Sequence, residues 1–123
     1  MVKLRQQAVS FGEHEIVVCE ADVRTGMKRS RRRMSVLKEI GQFDPQNDMH
    51  LMQVITFPDV LAATISFDGR DWESLPASEF PMDFETFLSL PDALLSVWMA
   101  AIYELNPYWL AVDMNEDEHK KKS

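Results

Sequence analysis

The chain has 123 residues, a length that fits one domain burying somewhat under roughly 70% of its unfolded surface in a single core. Apolar residues make up 46% and charged residues 27%, ordinary globular values that set aside wholesale disorder and membrane-protein composition. A formal net charge of -7 speaks against a nucleic-acid binder, because phosphate recognition needs a positive footprint.

The opening "MVKLRQQAVSFGEHE" lacks the continuous apolar core of a signal peptide, and no stretch approaches the ~18 apolar residues of a membrane span, so the sequence reads as cytoplasmic. A β-hairpin is expected over residues 4–11 and 14–21, with Gly12 supplying the backbone freedom of the turn. Ile16 to Cys19 is apolar without alternation, which fits a strand covered on both faces or a short buried helix. Cys19 is the single cysteine, which excludes an intramolecular disulfide and a cysteine-built metal site.

In "DVRTGMKRSRRRMSVLKEIGQ", Val23, Met27, Met34, Leu37 and Ile40 recur at helical spacing while basic residues fill the other positions, predicting an amphipathic helix. Asp22 is placed to cap its start and Gly41 to end it; Gly26 weakens the interior by up to ~1 kcal/mol, which leaves Thr25 as an alternative start. Asn47 or Asp48 then caps a helix carrying Leu51, Met52 and Ile55, and Pro58 forces a kink or a fresh start into "FPDVLAAT". The segment "DGRDWESLPASEFP" reads as a loop. A closing helical region begins near Asp83 and restarts after Pro91, where Leu94, Trp98, Ala101 and Leu105 form one stripe with Leu95 and Ile102 beside it. That helix is expected to be central and to stop at Asn106, which precedes Pro107. The fold expected is α+β and mainly α, an N-terminal hairpin on about four to five helices over 1–112, followed by a charged tail at 113–123.

Catalytic signals are sparse. His14, His50 and His119 have no second histidine or cysteine at ligand spacing, and surface histidines are the plain reading; His50 with Asp48 is equally well a helix start. Neither Ser89 nor Ser96 sits in a glycine-framed elbow, and no phosphate-binding glycine loop occurs. The chain is therefore expected not to be an enzyme and to use no cofactor or metal. The run "KRSRRR" puts Lys28, Arg31 and Arg32 on one helix side and Arg29 and Arg33 on the adjoining one, so five cations could face one partner. Without interleaved aromatics, a solvated face or a patch for an acidic surface on another copy is preferred to an RNA contact.

Three pieces, "EIVVCEADVRTGMKRSRRRM", "LMQVITFPDVLAAT" and "FETFLSLPDALLSVWMAAIYELNPYW", together resemble tail assembly chaperones of long-tailed bacteriophages. The aromatic-Pro-Asp phrase is Phe57, Pro58 and Asp59; the "F-x-x-F-L-x-L-P" phrase is Phe84, Phe87, Leu88, Leu90 and Pro91; the "L-N-P-aromatic-W" phrase is Leu105 to Trp109. The likeness covers roughly residues 16–109 and departs from the family in the dense "RSRRR" run and the many methionines. It implies a non-catalytic factor of the bacterial host cytoplasm that binds the tape-measure protein and helps recruit tail-tube subunits. Family members are often made in two lengths by ribosomal frameshifting, and the three lysines of "HKKKS" suit an A-rich slippery run. The residues expected to meet partners, or another copy, are Phe57, Pro58, Tyr103, Pro107, Tyr108, Trp109, Arg29, Arg32 and Arg33. Tyr108 and Trp109 either pack back as a clasp, the preferred reading, or stand exposed as anchors. A structural tail-completion or neck protein and a small RNA-binding regulator using residues 28–33 are the alternatives.

Overall fold

The computed structural model describes residues 3–109; the expected tail at 113–123 lies outside the described residues. The architecture is α+β and mainly α. Strands β1 (Gln6–Phe11) and β2 (His14–Cys19) form the expected hairpin, slightly shorter at its outer ends, with Phe11 opposite His14 and Gly12 at φ +57 in the two-residue turn. The sheet does not stop there. β3 (Thr64–Phe67) pairs antiparallel with β2, and the short β4 (Arg70–Asp71) pairs with β3, giving the order β1-β2-β3-β4.

These last two strands correct the sequence reading, which took Thr64 into a helix and Arg70 into a loop. The turn between them is Asp68–Gly69, both at positive φ (+50 and +78), the backbone form for which Asp-Gly is a preferred pair. β2 is thus a central strand: Ile16 and Val18 are fully buried on one face while Val17 and Cys19 are half-covered on the other. Val9, Ile16 and Phe67 lie in one row across the sheet and form its buried face.

Helix α1 (Val23–Ile40) has the expected ends: the Asp22 carboxylate accepts from the Thr25 amide at 2.9 Å, and Gly41, at φ +79, donates its amide to the Leu37 carbonyl. Helix α2 (Asp48–Leu51) is capped by Asn47. It continues without a break through a π-helical stretch, Met52–Thr56, into α3 (Phe57–Ala62). Pro58 explains the change of winding: it has no amide hydrogen, and its ring crowds the preceding turn, so a widened turn with Phe57 donating to Met52 carries the chain past it. Helix α4 (Phe84–Leu88) is capped by Asp83, and α5 (Asp92–Leu105) runs through the core, burying Leu94, Trp98, Ala101, Ile102 and Leu105 as the stripe predicts. Trp98 donates through Nε1 to the Thr64 hydroxyl at 3.0 Å, which in turn donates to the Val60 carbonyl, so the largest core side chain leaves no polar atom stranded.

Candidate binding site

α1 is turned partly against expectation. Of the five residues of its expected apolar stripe, Val23, Met27 and Met34 are 80%, 66% and 65% exposed and Leu37 and Ile40 are half-buried, whereas Arg32 is 1% exposed and Val36 is buried beside it. The inward face of this helix meets α3, the π-helical stretch, Trp109 and the segment 73–80, which offer its basic residues acceptors and aromatic rings. Asp59, fully buried in the first turn of α3, is the centre. One oxygen, Oδ1, accepts from Arg29 Nε at 2.5 Å and from Arg33 Nη2 at 2.9 Å; the other, Oδ2, accepts from the Tyr103 hydroxyl at 2.6 Å. Three helices are tied at one carboxylate.

Two more cations of the run also find acceptors within the fold. Arg32 donates through Nη2 to the Glu79 carbonyl at 3.0 Å and lies 5.9 Å from the Phe80 ring; its Nε has no partner among the described residues, and burial pulls its guanidinium below the ordinary value. Lys28 donates to the Glu73 carbonyl. The solvated face or docking patch read from "KRSRRR" is therefore replaced by a structural cluster, with Arg31 alone of the five fully outward.

The aromatic end divides. Trp109 packs back, 2% exposed, with the Arg29 guanidinium 4.4 Å above its ring, while Tyr108 stands 53% exposed and Pro107 is exposed beside it. Asn106 fastens this corner. Buried, it accepts from the Ala21 amide at 2.7 Å through Oδ1 and donates through Nδ2 to the carbonyls of Cys19 and Ile102, both at 3.0 Å. Sequence reasoning saw only its place before a proline. Of the expected partner residues, Phe57, Pro58, Arg32 and Trp109 are buried and give a partner no surface in this fold; Arg29, Arg33 and Tyr103 are half-buried around Asp59.

The other polar groups serve turns and caps. His14 Nδ1 is 2.9 Å from Asp68 Oδ2 across the sheet, and His50 accepts the Asp44 amide at 3.0 Å through Nδ1, so its partner is Asp44 and not Asp48. A depression of about 500 Å³ is lined by Phe67, Trp72, Met82 and Leu90 with Asp68, Arg70 and Asp83. Asp83 there is a helix cap, held below the usual carboxylate range first by the Thr86 amide and then by the Thr86 hydroxyl. Burial, and next the charges of Glu73 and Asp22, push the Cys19 thiol up to about 11, which leaves it protonated and a poor nucleophile near neutral pH. Among the described residues no three His, Cys, Asp or Glu side chains gather as a metal would require, and no helix is long and apolar enough to cross a membrane. Comparison with protein-family models, with curated proteins and with solved structures finds no match to this chain.

Proposed function

We propose that this protein is a non-catalytic tail assembly chaperone of long-tailed bacteriophages, binding the tape-measure protein and helping to recruit tail-tube subunits in the host cytoplasm. The observation that carries this reading is where large apolar side chains stand. Val23, Met27, Met34, Met49, Val97 and Tyr108 face solvent around an interior whose carboxylate and most of whose basic run are engaged. A domain that places flexible methionines outside and cations inside offers adaptable apolar contact, the kind of surface that suits a long and variable apolar partner. The RNA-binding alternative loses its motive, since Arg29 and Arg33 turn to Asp59 and Arg32 is buried.

The rival reading is a structural tail-completion or neck protein, and persistence separates the two. Quantitative mass spectrometry of assembly intermediates and of purified mature particles checks this. The chain is expected in the intermediates and absent from the particles; stoichiometric recovery from mature particles would overturn the assignment.

A further inference from the structure

The sheet has two edges, and they are built differently. β4 is two residues long and both, Arg70 and Asp71, are charged, features that discourage a further strand from pairing. β1 is six residues long, "QQAVSF", with no charge, no proline and an unbroken register against β2, and among the described residues no strand pairs with its outer side. The two-residue turn fixes which backbone groups point outward. Phe11 and His14 close it, so Phe11, Val9, Gln7 and Arg5 turn their backbone groups to β2, in keeping with the 2.8 Å bond that the Glu20 amide donates to the Arg5 carbonyl. Gln6, Ala8 and Ser10 therefore present their amides and carbonyls to the open edge, and among the described residues no backbone bond from outside the hairpin reaches them.

Side chains along the edge add a pattern and a direction. On the face that α5 covers, Val9 is buried and Gln7 and Phe11 are half-buried; on the opposite face Gln6, Ala8 and Ser10 are exposed. A strand laid along this edge sets alternate residues beside Val9 and Phe11 and leaves the others in water. The turn end of the sheet carries exposed Glu13, Glu15 and Asp68 with Arg70 beside them, whereas exposed Lys3 and Arg5 stand at the far end. We propose that β1 takes up an extended segment of a different polypeptide, one that alternates apolar and polar residues and runs antiparallel to β1 with a basic N-terminal end over the acidic turn. Backbone bonds to Gln6, Ala8 and Ser10 supply the affinity, and the charge at the turn sets the direction. Two copies of this chain, each at a net charge of -7, repel one another, which points away from a second β1 as the occupant and toward a basic segment.

The probe is the peptide acetyl-Lys-Lys-Thr-Val-Thr-Val-Thr-amide, titrated into the isotope-labelled full chain at low ionic strength and followed by amide NMR. Saturable shifts are expected at the amides of Gln6, Ala8 and Ser10, with a Kd of about 1 mM or tighter. In the antiparallel pair the threonines stand opposite Ser10, Ala8 and Gln6 and exchange bonds with them, while the valines lie beside Val9 with their amides turned away. N-methylation of the middle threonine is therefore expected to weaken binding by about tenfold or more and N-methylation of a valine by less than about threefold. Moving both lysines to the other end of the peptide is expected to weaken it by about fivefold or more. Ala8→Pro removes one outward amide and none that the hairpin uses, and is expected to abolish the shifts; where circular dichroism shows that variant unfolded, the two methylated peptides decide. No shift at these three amides, equal losses from the two methylations, equal binding with the lysines moved, or a folded Ala8→Pro chain that binds like the wild type would overturn the proposal. So would a wild type that sediments as a dimer with these amides already protected from exchange before peptide is added, since the edge would then belong to a second copy. No tape-measure protein is present, so a failure here leaves the chaperone reading standing.

Discussion

Asp59 shows how much one side chain decides. Its carboxylate joins α1 through Arg29 and Arg33, and α5 through Tyr103, with none of its own surface left to water. Removing it leaves two guanidinium groups without their counter-charge in a poorly solvated place, so Asp59→Ala is expected to lower stability by about 3–5 kcal/mol. Arg32 answers to the opposite rule. It is about as buried as Asp59, yet among the described residues it pairs with no carboxylate and keeps one donor without a partner, so an apolar side chain of like length loses little. Arg32→Met is expected to leave stability unchanged or to raise it by about 1 kcal/mol. Urea unfolding of both variants measures the contrast; equal losses would refute this account of the cluster. The sequence displayed every member of the cluster and hid the cluster itself. Arginines are seldom buried, so a basic run is read as surface until the position of Asp59, dozens of residues away, is known.

At the scale of elements, what is local was legible. Asp22, Gly41, Asn47 and Asp83 act within three or four residues of themselves, and their types name their jobs. The Asp68–Gly69 hairpin is equally local, but the neighbouring prolines and acids give the whole stretch the composition of a loop. The orientation of α1 was not legible, because periodicity separates two faces of a helix without saying which one is covered. Its partners come from α3, Trp109 and segment 73–80.

The caps carry a pH dependence whose sign follows from their titration. Backbone amides of Thr25 and Thr86 hold Asp22 and Asp83 below the usual carboxylate value, so between the folded and ordinary values the unfolded chain binds more protons. Their contribution is complete above about pH 4 and fades as pH falls through the folded values. Asp22→Asn with Asp83→Asn keeps both caps and removes the titration. The urea midpoint at pH 7 is expected to stay close to wild type and its fall below pH 4 to be shallower; an unchanged acid slope would contradict this. Asn106 works between elements, fixing the end of α5 to the strand and turn before α1. Asn106→Ala strands the Ala21 amide and is expected to cost about 2–4 kcal/mol in urea unfolding. A loss inside the error of the wild-type measurement would show that the corner holds without it.

Across the whole molecule the fold class follows from composition and pattern, while the surface we propose as functional rests on exposed apolar residues that the pattern placed inside. The central helix was visible because its stripe is wide enough to demand burial and two prolines mark its limits. The proposed binding face was not legible because three of the five residues that resemble a core stripe on α1, Val23, Met27 and Met34, are in solvent, while Leu37 and Ile40 are half-buried. A net charge of -7 keeps such a molecule dispersed while it exposes apolar patches. The central claim is that this surface serves a tape-measure protein, and the most direct measurement is to express that protein from the same phage genome with and without this chain. The account predicts that the tape-measure protein is soluble only in the company of the chain and co-elutes with it on size exclusion. A tape-measure protein whose solubility is the same in both cases, with the chain eluting alone, would contradict it.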